Sequence, residues 1–259
     1  MKNYLDYLER IGFKGEPKVD YATLAELQYR HFLSVPYENI GILEGAPPLS
    51  LNIDDIYEKV VTRKRGGYCF ELNALLNWLL CEIGFKTTNY FARFLLDEIG
   101  IPMRRHRIVR VEIAGEYYLA DVGVGTITPE KSLKLVENEE TEIRGILYKF
   151  TREPFFGWVL WIRKPGEINE KNKWTQLYSF TDDEQAEIDF VQPSFYCQFC
   201  PDSRFNKHMI IAIRTETGKY SLSGNILRIS DFTAGTSETK ECESDEIPAI
   251  LKKYFGIVL

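Results

Sequence analysis

The feature that most limits what this chain can fold into is a change of apolar spacing at Phe85. Before it, apolar side chains recur every three or four residues. After it, short runs of β-branched and aromatic residues alternate with turns. Such a chain builds helices first and a sheet second. "NYLDYLERIGF" places Tyr4, Leu5 and Leu8 at helical spacing and ends near Gly12. "DYATLAELQYRHFLSV" offers Asp20 or Thr23 as a cap, and Pro36 stops it. "NIDDIYEKVV" predicts a short helix starting near Asn52. The helix after Cys69 carries Leu72, Leu75, Leu76, Leu79, Leu80 and Ile83 on one stripe and ends at Gly84.

Beyond Phe85, "TTNYFARFLL", "HRIVRVEI", "EYYLADVGV", "GILYKFTRE" and "FGWVLWIRK" read as strands of an antiparallel sheet or barrel. "VENEETEIRG" reads as an acidic surface connection. From "TQLYSF" onward the signals mix. "DFVQPSFYCQFCPDSRF" reads as a loop, "HMIIAIRTETGKYSLSGNILRI" as strands and "SDEIPAILKKYFGI" as a closing helix. The expected organisation is helices over 1–85, a β unit over 86–190 and a mixed unit over 191–259.

A net charge of -6 argues against general phosphate-backbone binding, so no nucleic-acid partner is expected. The opening "MKNYLDYLERIGF" carries acids and no apolar run, unlike a secretion signal. No stretch approaches the ~20 apolar residues that span a bilayer, so no membrane partner is expected either. The five cysteines, an odd number, suit reduced thiols. Together these point to a cytoplasmic protein.

Cys69 stands where a helix begins, after Gly66 and Gly67. A thiol in a first turn feels the positive end of the helix dipole and unpaired N–H groups, which favour the thiolate. Arg63 and Arg65 would add charge. The alternative is a structural cysteine on the buried stripe. A nucleophilic cysteine needs a base, and His106 heads two strands joined at Ala114-Gly115. With those two residues as the loop, Ile113 faces Glu116 and His106 faces Gly123. Asp121 is then a diagonal neighbour of His106, ~7–8 Å away between backbones. A carboxylate among apolar neighbours needs a partner. Cys69, His106 and Asp121 thus make a candidate nucleophile, base and orienter. Spacing alone does not show that the helix and the hairpin meet.

"RGGYCFELN" (Arg65 to Asn73), the His106 segment, "DVGVG" (Asp121 to Gly125), "PYENI" (Pro36 to Ile40), "YLERIGF" and "PDSRF" (Pro201 to Phe205) resemble, in order, the signature of the arylamine N-acetyltransferases. The resemblance implies an α+β fold with an N-terminal helical bundle, a central antiparallel β-barrel and a C-terminal α/β lid around a cysteine-protease-like core. It implies acetyl transfer from acetyl-CoA to an arylamine, arylhydroxylamine or arylhydrazine by a ping-pong route through an acetyl-cysteine. Cys69, His106 and Asp121 would be the triad. Tyr37 would line the acceptor pocket, where relatives usually have Phe. Phe205 would form another aromatic wall. Gly125 and Thr126 would border the CoA entrance. Val124 stands where relatives usually have Phe in "DVGFG", which would reshape the pocket. Relatives also often carry a second proline after that loop, where "TITPEKSLKL" has only Pro129. No metal is implied, and a monomer or weak homo-oligomer is expected.

Three rivals remain at this level. A transglutaminase-like or cysteine-protease-like hydrolase could use the same triad on peptide amides. An amide synthase of the same superfamily could close a macrolactam. A catalytically dead relative could simply bind ligand. Beside the triad, Arg65 and Glu38 are expected to form a buried pair bracing the Cys69 loop, with Glu71 as the alternative partner. Arg104, Arg105 and Arg107 could steer CoA phosphates or form a solvated strand end. Cys197-x-x-Cys200 lacks a second ligand pair and reads as two ordinary thiols.

Overall fold

The computed structural model describes residues 2–45, 48–164 and 173–259. Helices come first. α1 (Tyr4–Ile11) stops at Gly12, which takes the left-handed conformation at φ 69°. α2 (Tyr21–Ser34) starts at Asp20, whose carboxylate accepts the Thr23 N–H at 2.8 Å. β1 (Tyr37–Glu38) and the short α3 (Ile40–Leu43) follow. α4 (Ile53–Tyr57), capped by Asn52, runs into a π-helical turn over Glu58–Thr62. α5 (Cys69–Ile83) is the central helix, buried on nearly every face through Leu80. Its outer end is not. Cys81, which the apolar pattern marks as core, is exposed, because it lies past the last buried turn, with its sulfur 3.2 Å from Thr87 Oγ1.

Eight antiparallel strands follow: β2 (Lys86–Phe94), β3 (Arg104–Ile113), β4 (Glu116–Ala120), β5 (Leu133–Lys134), β6 (Thr141–Ile143), β7 (Ile146–Glu153), β8 (Gly157–Arg163) and β9 (Thr175–Glu184). Their spatial order is β5-β4-β3-β2-β9-β8-β7-β6, a nearly closed barrel. Its interior holds Tyr90, Ile108, Phe150, Leu160, Leu177 and Phe180. The acidic connection over Val136–Gly145 contains β6 within it.

The segment expected as a loop is instead α6 (Val191–Phe199). Pro193 sits in its first turn, where an N–H would have no helical partner, so the proline is tolerated. Cys197 is buried in α6 against the helical core, and Cys200 follows the helix end. The chain closes with β10 (Ile210–Arg214), β11 (Gly218–Ser223), β12 (Ile226–Asp231), β13 (Thr236–Glu241) and α7 (Ile247–Phe255). β1 pairs with β10, Tyr37 opposite Ala212, so "PYENI" is an edge of the C-terminal sheet. That pairing joins residues far apart in sequence. Among the described residues no helix is long and apolar enough to cross a membrane.

Candidate active site

The site forms where β3 loses its second strand neighbour. On one side β3 pairs with β2, up to Ala92 opposite His106, where a bulge leaves Arg105 unopposed. On the other side its pairing with β4 begins at the Ile113–Glu116 turn and stops at Val109 opposite Ala120. The ladder therefore ends short of the expected His106–Gly123 pair. Beyond Ala120 the chain turns away, and the first turns of α5 take the place of a strand. Backbone groups of β3 that would be orphaned are met there. Asn73 Nδ2 donates to the Arg107 carbonyl at 2.5 Å, and the Cys69 thiol faces the Arg105 carbonyl at 3.8 Å.

His106 and Asp121 meet although the ladder does not bring them together. His106 Nε2 lies 2.8 Å from Asp121 Oδ2, and both residues are buried. Nδ1 is the other ring nitrogen. Asp121 Oδ1 accepts the Asn73 Nδ2–H at 2.9 Å and the Gly123 N–H at 2.8 Å. Asn73 Oδ1 accepts the Val122 N–H at 2.9 Å, and Gln28 Oε1 accepts the Asp121 N–H at 3.2 Å. A carboxylate held by this many donors stays in place. Asn73 lies in the quoted cysteine motif without an assigned role, and Gln28 carried no sequence signal. A polar residue four positions after Cys69, set among Leu72, Ala74, Leu75 and Leu76, was the available clue for Asn73.

Glycine is obligatory at two points. A Cβ on Gly66 would lie 2.0 Å from the Pro36 carbonyl oxygen. The need there is close approach to β1, not a left-handed backbone. A Cβ on Gly123 would lie 2.7 Å from Cys69 Cα and 2.6 Å from Asn73 Nδ2. The loop after Asp121 thus rests directly on the start of α5.

The braces around Cys69 differ in part from expectation. Arg65 pairs with the buried Glu38 at 3.0 Å, as expected. Glu71 takes Lys59 at 2.8 Å and also accepts the Tyr68 N–H at 3.2 Å, capping α5. Arg63 pairs with Glu58 at the surface. With Arg65 held by Glu38, neither arginine is left for the thiol. Burial pushes the Cys69 thiol well above its ordinary value, and buried Cys197 and Asp121 push the same way; the Arg107 and Phe70 N–H groups oppose them. The helix terminus alone therefore does not make a thiolate. A thiolate here needs a cation beside it, which a histidine that has taken the proton supplies.

One cavity of about 200 Å³ gathers the remaining candidates. Cys69, His106, Tyr37, Val124, Gly125, Thr126 and Phe205 all line it. Asp121 lies behind His106, outside the lining. Glu98, Arg105 and Arg204 supply the charged part of its wall. Arg104 and Arg105 face Asp183 and Glu98 at 3.6 Å. Arg107 is fully buried and bonded to Glu187, so it cannot steer a solute from outside.

A family model described as N-acetyltransferase matches residues 20–259. The arylamine N-acetyltransferase of Mycolicibacterium smegmatis is 31% identical over 258 residues, covering 98% of this chain and 91% of its own length. The chain belongs to the arylamine N-acetyltransferase family. Arylamine N-acetyltransferase 1 of Homo sapiens is likewise 31% identical, with 98% and 93% covered. The solved M. smegmatis arylamine N-acetyltransferase superposes with a TM-score of 0.89 at 30% identity, over 99% of this chain and 93% of that one. The Mycobacterium marinum arylamine N-acetyltransferase, solved in complex with CoA, superposes at 0.88 with 26% identity, over 98% and 93%. As an arylamine N-acetyltransferase, this protein is an acetyl-CoA-dependent acyltransferase, and its helical bundle, barrel and lid are the family's fold.

Proposed function

We propose that the enzyme moves an acetyl group from acetyl-CoA to the nitrogen or oxygen of an arylamine, arylhydroxylamine or arylhydrazine by a ping-pong route through acetyl-Cys69. The observation that carries this reading is the His106–Asp121 contact at 2.8 Å, opening onto the cavity that Cys69 lines. Asp121 holds Nε2–H of the imidazole, so Nδ1 is the nitrogen free to take the thiol proton. The resulting imidazolium stabilises a thiolate that burial alone would suppress. Cys69 attacks the thioester carbonyl, and backbone N–H groups near the start of α5 stabilise the oxyanion. CoA leaves. The amine then attacks acetyl-Cys69 while His106 takes its proton.

The acceptor would lie against Tyr37, Phe205 and Val124, an aromatic and aliphatic wall suited to a flat ring. Burial keeps the Tyr37 phenol protonated, so it presents a neutral hydroxyl there. Gly125 and Thr126 would border the donor. Thr126 and Ile127 also line a second cavity, of about 350 Å³, with Arg144, Lys164, Arg214 and Lys219 on its walls. Arg144 and Arg214 are paired with Glu130 on the same wall, which leaves Lys164 and Lys219 to suit the phosphates of a CoA tail.

The test is intact-protein mass after brief mixing with acetyl-CoA and no acceptor, for the native chain and Cys69→Ser. The expected result is a gain of one acetyl group, lost in the variant and discharged by an arylamine. A folded protein that gains nothing would sink the reading and favour peptide-amide chemistry.

A further inference from the structure

Arg107 is the least expected residue near the site. It directly follows His106 on β3, yet its side chain is fully buried. It is held from three directions. Nη1 and Nη2 donate to the two Glu187 carboxylate oxygens at 2.6 and 2.5 Å, a forked pair. Nε and Nη2 donate to Asn89 Oδ1 at 3.1 and 2.9 Å. The guanidinium also lies over the Phe190 ring, 4.5 Å from its centroid. Glu187 and Phe190 belong to one 3-10 turn between β9 and α6.

That turn also touches α5. The Phe190 ring lies 6.0 Å from the Phe70 ring, and Phe70 is the second residue of α5. Phe70 directly follows Cys69, and Arg107 lies two positions from Arg105, whose carbonyl faces the Cys69 thiol at 3.8 Å. The Arg107 carbonyl is the group that Asn73 holds, and Asn73 holds Asp121. A single clamp, Glu187–Arg107–Phe190, thus grips the β3 residue whose carbonyl Asn73 holds, two positions from the Arg105 carbonyl that faces the Cys69 thiol, and packs on Phe70 beside Cys69. It acts on the stretch of β3 that has no β4 partner to hold its backbone.

We propose that Arg107 is a positioning residue for the acyl-transfer reaction, its side chain locked by Glu187, Asn89 and Phe190 so that the β3 peptide stays aimed at Cys69. This rests on Cys69 being the nucleophile. Stability alone does not require the arrangement. Arg107 is fully buried while Glu187 is largely exposed, and an ion pair with a buried arm is often replaceable by apolar side chains without loss. Its return is geometry at an unpaired strand end.

The groups facing Cys69 are Tyr37 from β1, Tyr68 ahead of α5, His106 from β3, Asp121 after β4 and Cys197 from α6. Glu98, Arg105 and Arg204 stand at the cavity wall. None is altered by Glu187→Gln or Arg107→Lys. The first variant removes charge from a residue whose side chain is 60% exposed, so folding should survive. The second keeps the charge but loses the fork.

The experiment measures the rate of Cys69 alkylation by iodoacetamide against pH, by intact mass, alongside Tm and the KM for acetyl-CoA. Expected in both variants is a midpoint raised by about one pH unit, about a tenfold slower reaction below it, and an unchanged KM. Wild-type midpoints in both variants, with only Tm lowered, would reduce Arg107 to a structural role and overturn the proposal. A native protein whose Cys69 shows no pH-dependent alkylation would overturn the nucleophile reading itself, a failure visible before either variant is compared.

Discussion

The two ends of β3 carry the same strand and obey different rules. From Val109 to Ile113 it is an ordinary hairpin arm, paired with β2 on one side and β4 on the other. From Arg104 to Ile108 it has β2 on one side and the start of α5 in place of β4. At the hairpin end, repetitive ladder bonds do the holding, and no single side chain carries the structure. At the site end, the Arg107 and Arg105 carbonyls are met instead by particular side chains, Asn73 and Cys69. The proposed chemistry sits where the regular pairing stops, because there backbone groups and side chains are free to face a helix and a cavity.

The largest test of this contrast is Asp121→Asn. It keeps size and loses the charge proposed to set the imidazole state, so acetylation of Cys69 should slow by ~10⁴-fold. Stopped-flow acylation near the native rate would remove Asp121 from the mechanism. Next is Arg65→Ala. It leaves buried Glu38 without its arginine, and urea unfolding should show a loss of ~3–5 kcal/mol. Lys59 Nζ stands 4.0 Å from Glu38, so a loss well below that range would mean the lysine takes over.

Gly123→Ala should act on the site end without touching charge. Its Cβ would force Asn73 and Cys69 apart from the loop, and turnover should drop ~10²-fold through misplacement. Unchanged turnover would mean that the loop's contact with α5 is incidental. The smallest effect belongs to the hairpin end. Ala114 holds φ 51° ahead of Gly115 at φ 83°, a turn that prefers Asn-Gly. Ala114→Asn should raise stability by up to ~1 kcal/mol and leave activity alone. A change in turnover there would erase the distinction between the two ends.

Local signals in the sequence determined a good deal. Helix boundaries were legible at Asp20, Asn52, Gly12 and Gly84, because caps and left-handed glycines act within one turn. The Ala114-Gly115 hairpin was legible for the same reason, and so was the Glu38–Arg65 pair as a candidate. Signals that depended on neighbours misled. Pro193 and the aromatics around it conceal α6, the apolar stripe of α5 marks Cys81 as core, and Arg107 falls in a cluster that resembles a solvated or steering strand end.

What only the tertiary structure decided is how the pieces meet. No local pattern says that β4 ends at Ala120, that α5 replaces it, or that Tyr37 becomes an edge of the lid sheet opposite Ala212. Those contacts join segments separated by tens to well over a hundred residues. Their free energy comes from burying shared surface, which neither segment encodes alone. Asn73, Gln28 and Arg107 acquire their roles only in that setting. Each is a polar side chain whose partner is named by the fold and not by the residues beside it.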